Sequence, residues 1–297
     1  MSSFMTRRTL IKTSVLSAAA MALPDEGISA TPSGLPSSAP VRIGKVGLLS
    51  QDAARLAEWY RSAVGLEEIP SPTPGISLGV DSSVLLEIAD QPNLRLATPD
   101  QAGLYHTAFL LPSRAELARW VLRASQTRLP VDGASDHEVS EAIYLTDPEG
   151  NGVEIYADRA PSGWKWRDGQ VEMSSKPIDF DQLMSTISAE TPGWDRAPTG
   201  TIVGHVHLKV GDAARGGKWW QDEMSFDPVR AREGAVFLST GGYHHHIAVN
   251  QWQSAGAGLR EPGSTGLAFV ELASRIHESA QIKVDPWGTE FRITPAA

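Results

Sequence analysis

The chain has 297 residues, of which 41% are hydrophobic and 21% charged, a composition typical of globular proteins. A net charge of -9 argues against a nucleic-acid partner, because no basic face is available to neutralise phosphates. The absence of cysteine excludes disulfides, thiolate metal sites and a cysteine nucleophile, so a transition-metal site would have to use histidine and carboxylate ligands.

Residues 1–30 have the pattern of an export signal. Arg7 and Arg8 precede a short apolar stretch at residues 14–23, and Ile28-Ser29-Ala30 offers a small-residue cleavage site. The paired arginines favour the twin-arginine export machinery, which predicts a periplasmic or extracellular protein. Residues 31–40, rich in proline and serine, are predicted to be a linker. No later apolar run is long enough to span a membrane in the mature chain.

One pattern of a strand followed by a helix recurs along the remaining sequence. The first three copies, each given as strand and then helix, are residues 45–52 and 53–64, 105–113 and 115–124, and 204–212 and 213–224. A fourth copy starts near Gly266 and leaves almost no room for a helix. The second copy closes with the turn Asp147-Pro148-Glu149-Gly150-Asn151 between two short strands, and the fourth has a similar turn at residues 285–289. The sequence therefore predicts four related modules.

Several phrases carry a resemblance to a known superfamily. They are Gly-Leu-Tyr-His at 103–106, Ser-Asp-His-Glu-Val-Ser-Glu-Ala at 135–142, Asp-Pro-Glu-Gly-Asn-Gly-Val-Glu-Ile-Tyr at 147–156, Gly-His-Val-His at 204–207 and Gly-Gly-Tyr-His-His-His-Ile at 241–247. Residues 41–293 thus resemble the vicinal oxygen chelate superfamily of glyoxalase I, bleomycin-resistance proteins and type I extradiol dioxygenases. The likeness is closest to four-module catechol 2,3-dioxygenase-like proteins.

The resemblance implies an α+β fold of repeated βαβββ modules, with cup-shaped mixed sheets and helices on the outside. By the order of the modules, residues 41–160 are predicted to form a first domain with modules 1 and 2. Residues 161–199 would be a connection, and residues 200–297 a second domain with modules 3 and 4. Trp164 and Trp166 in the connection are expected to pack against a sheet rather than close over a substrate.

The resemblance also implies a metal held by the first and last strands of paired modules. Strand alternation tests this, because one face must pack beneath the helix while the other lines the cup. In the third module, Val206 and Leu208 form the apolar face, which leaves His205 and His207 pointing inward. The same reasoning on the other strands adds a further inward-facing set: His106, Glu154, His244 and His246.

Four of these residues lie at corresponding ends of corresponding strands and are the predicted metal ligands: His106, Glu154, His205 and His246. A 2-His-1-carboxylate set with open positions suits a non-haem Fe(II) oxygenase, since substrate and O2 must both bind. Fe(II) is therefore the favoured metal, with Mn(II), Zn(II) and Ni(II) as alternatives. His207, His244 and Tyr243 are predicted to orient a phenolate or to move its proton. His137 is either an acid–base residue or a surface residue.

The pairing of the modules stays open at this point. Extradiol enzymes usually build their cup from modules 3 and 4, but aligning the two turns places Arg292 where Glu154 stands. Modules 2 and 3 could share a cup, Glu271 or Glu290 could substitute after a register shift, or the site could be degenerate. The first arrangement is favoured because it gives a complete ligand set.

The resemblance implies an extradiol dioxygenase that acts on a small catechol-type aromatic with O2. Two alternatives remain. One is a glyoxalase- or lyase-like reaction at Zn(II) or Ni(II) with Glu154 as base. The other is a non-catalytic protein that binds a small aromatic or a drug. Homo-oligomerisation is left open.

Overall fold

The computed structural model describes residues 36–296, so the predicted signal peptide and most of the linker lie outside the described residues. The elements before the connection are β1 (Val41–Ser50), α1 (Ala53–Ala63), β2 (Glu67–Glu68), β3 (Ile76–Val80), β4 (Ser83–Asp90), β5 (Gly103–Leu110), α2 (Arg114–Thr127), β6 (Gly133–Asp136), β7 (Ser140–Thr146) and β8 (Gly152–Asp158). Those that follow are β9 (Trp166–Arg167), β10 (Gln170–Val171), α3 (Phe180–Met184), β11 (Ile202–Lys209), α4 (Ala213–Met224), β12 (Asp227–Arg232), β13 (Ala235–Ser239), β14 (Ile247–Asn250), β15 (Gly266–Ser274), β16 (Gln281–Val284) and β17 (Glu290–Pro295). None of the helices in this range is both long and apolar enough to cross a membrane.

Two large mixed sheets contain most of the strands. One has seven strands in the order β16-β17-β15-β1-β4-β3-β2, and the other has eight in the order β12-β13-β14-β11-β5-β8-β7-β6. At the centre of each, the first strands of two modules pair antiparallel, β1 with β15 and β5 with β11. The predicted α+β fold is confirmed. The sheets join module 1 with 4 and module 2 with 3, so neither sheet follows the sequence division into 41–160 and 200–297.

The same local signal starts the helix in each of the first three modules. Asp52, Ser113 and Asp212 each follow a strand, and each accepts a hydrogen bond from the backbone N–H three residues later. Such caps satisfy N–H groups that have no partner within the helix, and each stabilises by about 1 kcal/mol. Module 4 has no helix, because β15 leads within a few residues to β16.

A single main core lies beneath the helices. It takes apolar side chains from both sheets and from the inner faces of α1, α2 and α4. Trp120 is fully buried there, and its indole N–H donates to the carbonyl of Ala63 at 2.9 Å, which ties α2 to the end of α1. The inward-facing histidines lie on the opposite face of the eight-stranded sheet, because neighbouring strand residues alternate between faces.

In the seven-stranded sheet, ion pairs occupy the inward-facing positions. Lys45 on β1 lies 2.7 Å from Glu87 on β4 and 3.5 Å from Glu271 on β15. Glu290 on β17 pairs with Arg292 at 2.6 Å. Glu87, Glu271 and Glu290 are therefore matched with cations. Neither Glu271 nor Glu290 takes the place of Glu154 in the ligand group of the described residues.

An aromatic ring fills the rest of that inward face. A Cβ on Gly47 would lie 2.2 Å from the ring of Phe269, so glycine is needed for this packing. The guanidinium carbon of Arg292 lies 3.6 Å from the centre of the same ring. In the sheet of the first and fourth modules, paired charges and the ring of Phe269 thus occupy the inward face.

The connection packs along the eight-stranded sheet. Trp164 is buried, with its ring 5.7 Å from that of Tyr243 and 5.1 Å from that of His244. Trp166 remains 39% exposed. The two tryptophans therefore differ in role, and neither lines the cavity described below among the residues that the structure covers.

Replacing Trp120 by alanine is expected to lower the free energy of unfolding by about 3–5 kcal/mol, because a large buried ring and its hydrogen bond are lost together. Trp166→Ala is the matched control and should stay within about 0.5 kcal/mol of the parent, because its ring is largely solvated. Urea denaturation followed by circular dichroism measures both. Equal losses in the two variants would contradict the assigned core.

Candidate metal centre

Three neighbouring strands bring the predicted ligands together. His205 on β11 and Glu154 on β8 both lie opposite Ala108 of β5, and His106 precedes Ala108 by two residues on the same face. Alanine at this central position leaves space above the sheet, and the three larger side chains converge over it. His106, Glu154 and His205 are 6%, 2% and 2% exposed.

The donor atoms form a nearly equilateral triangle. His106 Nε2 lies 3.1 Å from Glu154 Oε2, His205 Nε2 lies 3.3 Å from Glu154 Oε2, and the two Nε2 atoms are 3.3 Å apart. With metal–ligand bonds of about 2.1 Å, adjacent ligands are about 3.0 Å apart in octahedral sites and about 3.4 Å apart in tetrahedral ones. Within residues 36–296 this is the one such group that could hold a metal ion.

The protonation states also suit a metal. Burial lowers the pKa of His106 to about 3, because desolvation of a charged ring outweighs the attraction of Glu154. Burial alone would raise the pKa of Glu154, but its contacts with His205 and His106 lower it to about 2. A neutral imidazole and an ionised carboxylate are the forms that bind metals. A buried carboxylate without a counter-ion is costly, which favours a bound cation.

A glycine shapes the strand beside His205. A Cβ on Gly204 would lie 1.8 Å from the hydroxyl oxygen of Tyr156, and the β5–β11 ladder has an irregularity at this residue. The ring of Tyr156 lies 4.9 Å from that of His205. Glycine therefore lets Tyr156 pack under the histidine and support its position.

His246 is placed elsewhere. Strand β14 begins only at Ile247, so the alternation used to predict the ligands does not extend back to His246. Its Nδ1 lies 3.1 Å from Ser239 Oγ, and its ring lies 6.3 Å from that of Phe226 in the main core. The structure does not bring His246 into the ligand group, which corrects that assignment.

His245 occupies the inward position instead. It lines the cavity, and its ring centre lies 4.1 Å from that of His205. The chain before β14 passes through Gly241 and Gly242, both with positive φ, and this turn resets the direction of the side chains. The run of three histidines was a sequence signal for a site, but alternation alone selected the wrong members.

The predicted catalytic residues are divided between the cavity and its wall. His207 lines the cavity with its ring 5.0 Å from that of His106 and its Nε2 2.9 Å from Asn250 Nδ2. His244 and Tyr243 are fully buried and are absent from the cavity lining in the part of the chain that the structure describes. Of these three, only His207 can touch a ligand directly.

A hydrogen-bonded chain links the wall to the cavity. His244 Nε2 lies 2.8 Å from Asp158 Oδ1, and His244 Nδ1 lies 2.8 Å from His245 Nδ1. With Asp158 ionised, His244 donates from Nε2, and its Nδ1 then accepts from His245. This assignment leaves the Nε2 lone pair of His245 free. The hydroxyl of Tyr243 also donates to Asp158, at 3.3 Å.

The cavity above the triangle has a volume of about 710 Å³, within the range of small-molecule sites. Two hydrogen-bonded side chains line it close to the triangle, since the ring of Tyr144 lies 5.8 Å from that of His106. His137 Nδ1 donates to the carbonyl of Ser174 at 2.7 Å, which leaves Nε2 to accept from the Tyr144 hydroxyl at 2.6 Å. Burial and the nearby Glu154 raise the pKa of Tyr144 well above its ordinary value. His137, which the sequence left undecided, thus belongs to the site.

Comparisons with known proteins identify the family of the chain. Residues 42–155 match the model of the Glyoxalase/Bleomycin resistance protein/Dioxygenase superfamily. A relative from Bacillus subtilis (strain 168), named catechol-2,3-dioxygenase, is 34% identical over 235 residues, which are 77% of this chain and 81% of the relative. The chain therefore belongs to the Glyoxalase/Bleomycin resistance protein/Dioxygenase superfamily.

Solved structures support the fold alone. Glyoxalase I from Zea mays is similar with a TM-score of 0.50 and 12% identity, over 86% of this chain and 92% of that chain. The cppA protein from Streptococcus pneumoniae TIGR4 is similar with a TM-score of 0.51 and 11% identity, over 86% and 99% of the two chains.

Glu154→Gln is expected to reduce bound metal from near one ion per chain to less than about a tenth, because it keeps the shape but removes the charge that binds a cation. His246→Asn should retain the metal, since an amide oxygen can still bond Ser239. Metal content after dialysis against Fe(II) without oxygen, measured by plasma mass spectrometry, checks both. A folded Glu154→Gln protein with full metal content would refute the ligand set.

Proposed function

We propose that the protein is a metal-dependent extradiol dioxygenase that opens a catechol-type ring with O2. The observation that carries this proposal is the open triangle of two imidazoles and one carboxylate at the base of a cavity. The 34% identity to a protein named catechol-2,3-dioxygenase supports it. His106, Glu154 and His205 would hold Fe(II), whose chemistry is to bind the diol and O2 side by side.

The number of ligands favours an oxygenase over a lyase. A lyase-like reaction at Zn(II) or Ni(II) would be better served by four protein ligands, and the fourth predicted ligand, His246, lies in the core instead. Glu154 is also occupied by its contacts with both histidines, which makes it a poor candidate for a general base. Three ligands leave positions for two oxygens of a diol and for O2.

The chain's own residues can manage the substrate protons. Burial lowers the pKa of His245 well below its ordinary value, so its ring is neutral and can accept a proton from a substrate hydroxyl. The positive charge formed on the ring would be stabilised by Asp158 through His244. In this role His244 and Tyr243 are positioning residues, since neither reaches the cavity among the described residues.

A second proton-handling pair, His137 and Tyr144, also lines the cavity. Tyr144 keeps its proton because burial raises the pKa of its phenol, and it donates that proton to His137 in a hydrogen bond. The phenol oxygen therefore remains an acceptor for a substrate hydroxyl. Tyr105 and Trp252, whose rings are 5.5 Å apart, supply aromatic walls that suit a flat ring.

The direct test is oxygen uptake by the Fe(II)-loaded protein with catechol, followed together with the yellow colour of the ring-fission product. We expect oxygen uptake and yellow product to appear together, and both to be lost in His106→Ala and His205→Ala because these remove ligands. His277→Ala, a histidine outside the cavity, is the control. Stoichiometric Zn(II) or Ni(II) without oxygen uptake would support a lyase, and a chain that binds no metal would support a binding protein.

His245→Asn is expected to lower kcat about 10²–10⁴-fold, the usual contribution of a positioned acid–base group. Metal content should stay near that of the parent, because His245 is not among the three ligands. Single-turnover kinetics, with His277→Asn as the control, separate this loss from substrate binding. A variant with unchanged kcat would remove His245 from the mechanism.

A further inference from the structure

Four cationic side chains line the cavity of a protein whose net charge is -9. They are Lys209, Arg230, Arg232 and Arg260. Among the described residues, 36–296, no carboxylate oxygen lies within 4.0 Å of their charged nitrogens. This local excess of positive charge runs against the overall charge of the chain.

The acidic residues of the cavity are already engaged. Glu154 belongs to the metal centre. Asp132 accepts from the Thr146 hydroxyl at 2.6 Å, and Glu149 accepts from the Ser50 hydroxyl at 2.7 Å. None of them neutralises the cationic wall, so that wall is available to a negative charge from outside the protein.

Two of the four cations are held by backbone carbonyls. Lys209 donates to the carbonyl of Pro99 at 3.1 Å. Arg260 donates to the carbonyls of Leu267, Ser264 and Thr265. These bonds use several of their N–H groups and fix their positions at the cavity wall.

The other two cations lie on edge strand β12 and have free donors. Within the described part of the chain, neither the Arg230 nor the Arg232 guanidinium donates a hydrogen bond to another residue. Arg232 lies 5.2 Å from the ring centres of both Phe237 and Trp252, which hold it by cation–π contacts and leave its edge open. A planar guanidinium with a free edge suits a carboxylate.

A continuous path of rings connects this arginine to the metal centre. The ring of Trp252 lies 5.3 Å from that of His207, and His207 lies 5.0 Å from His106. Each step is about the width of one aromatic ring. A bound aromatic that lies along these rings could therefore direct an acidic group toward Arg232.

We propose that the substrate is a catechol-type aromatic that carries a carboxylate on a short arm, and that Arg232, with Arg230, recognises this anion. This inference rests on the proposed function and adds the substrate class. The arginines are specificity-determining residues, because they line the cavity without belonging to the ligand triangle.

The test compares two isosteric probes, a catechol with a propanoate arm and the corresponding primary amide. Binding is measured anaerobically on the metal-loaded protein by calorimetry, and kcat/KM is measured in air. We expect the parent to favour the propanoate by about tenfold or more, and Arg232→Gln to reduce this ratio by about tenfold, because one charge-assisted pair is lost. The ratio should also fall as salt increases.

Arg215→Gln is the matched control, because its guanidinium stacks 5.4 Å from Trp287 outside the cavity and should leave the ratio unchanged. Equal binding of both probes by the parent, or a ratio that survives Arg232→Gln, would overturn the inference. If the proposed function failed while this inference held, the propanoate would still bind more tightly than the amide, but no oxygen would be taken up. Turnover of both probes with equal efficiency would instead keep the function and reject the substrate class.

Discussion

The antiparallel pairing of β5 with β11 is the constraint on which the site depends. It places His106 and His205, which are 99 positions apart in sequence, within 3.3 Å of each other at Nε2. The parallel pairing of β8 with β5 then supplies Glu154 from the other side. A slip of one residue in either ladder would turn these side chains toward the main core, because strand residues alternate between faces. The register is fixed in turn by the apolar residues under the helices.

The two sheets show that the backbone arrangement does not by itself make a metal centre. Both are built around two paired first strands, and both carry polar residues on the inward face. In the seven-stranded sheet, however, Lys45 balances Glu87 and Glu271, and Phe269 fills the space over Gly47. Function in this fold depends on which side chains occupy the inward positions. On that sheet, matched charges and a packed ring occupy the positions that hold the ligand triangle on the other.

Sequence periodicity predicted much of this structure and failed at one identifiable place. Helix α4 has the predicted bounds, and alternation correctly turned His106, Glu154 and His205 inward. It misplaced His244 and His246, because it assumed that the strand began before Ile247. Module 3 was predicted to be the partner of module 2 because together they supply a complete ligand set. The β5–β11 ladder that joins them is a long-range contact, which sequence periodicity cannot show. The hydrogen bonds of His245 could not be predicted, since they depend on a turn through two glycines.

The charge balance of the cavity connects the metal centre with the arginines. Burial lowers the pKa values of His106, His207 and His245, so these rings are neutral and Glu154 is the ionised group of the metal centre. A divalent ion held by the two imidazoles and one carboxylate would keep a net positive charge, which would stabilise an anionic oxygen on a substrate. Arg232 adds a second positive charge to the cavity lining, beside the ring of Trp252. A substrate with an acidic hydroxyl at one end and a carboxylate at the other would match both charges, whereas a neutral aromatic would match only the first.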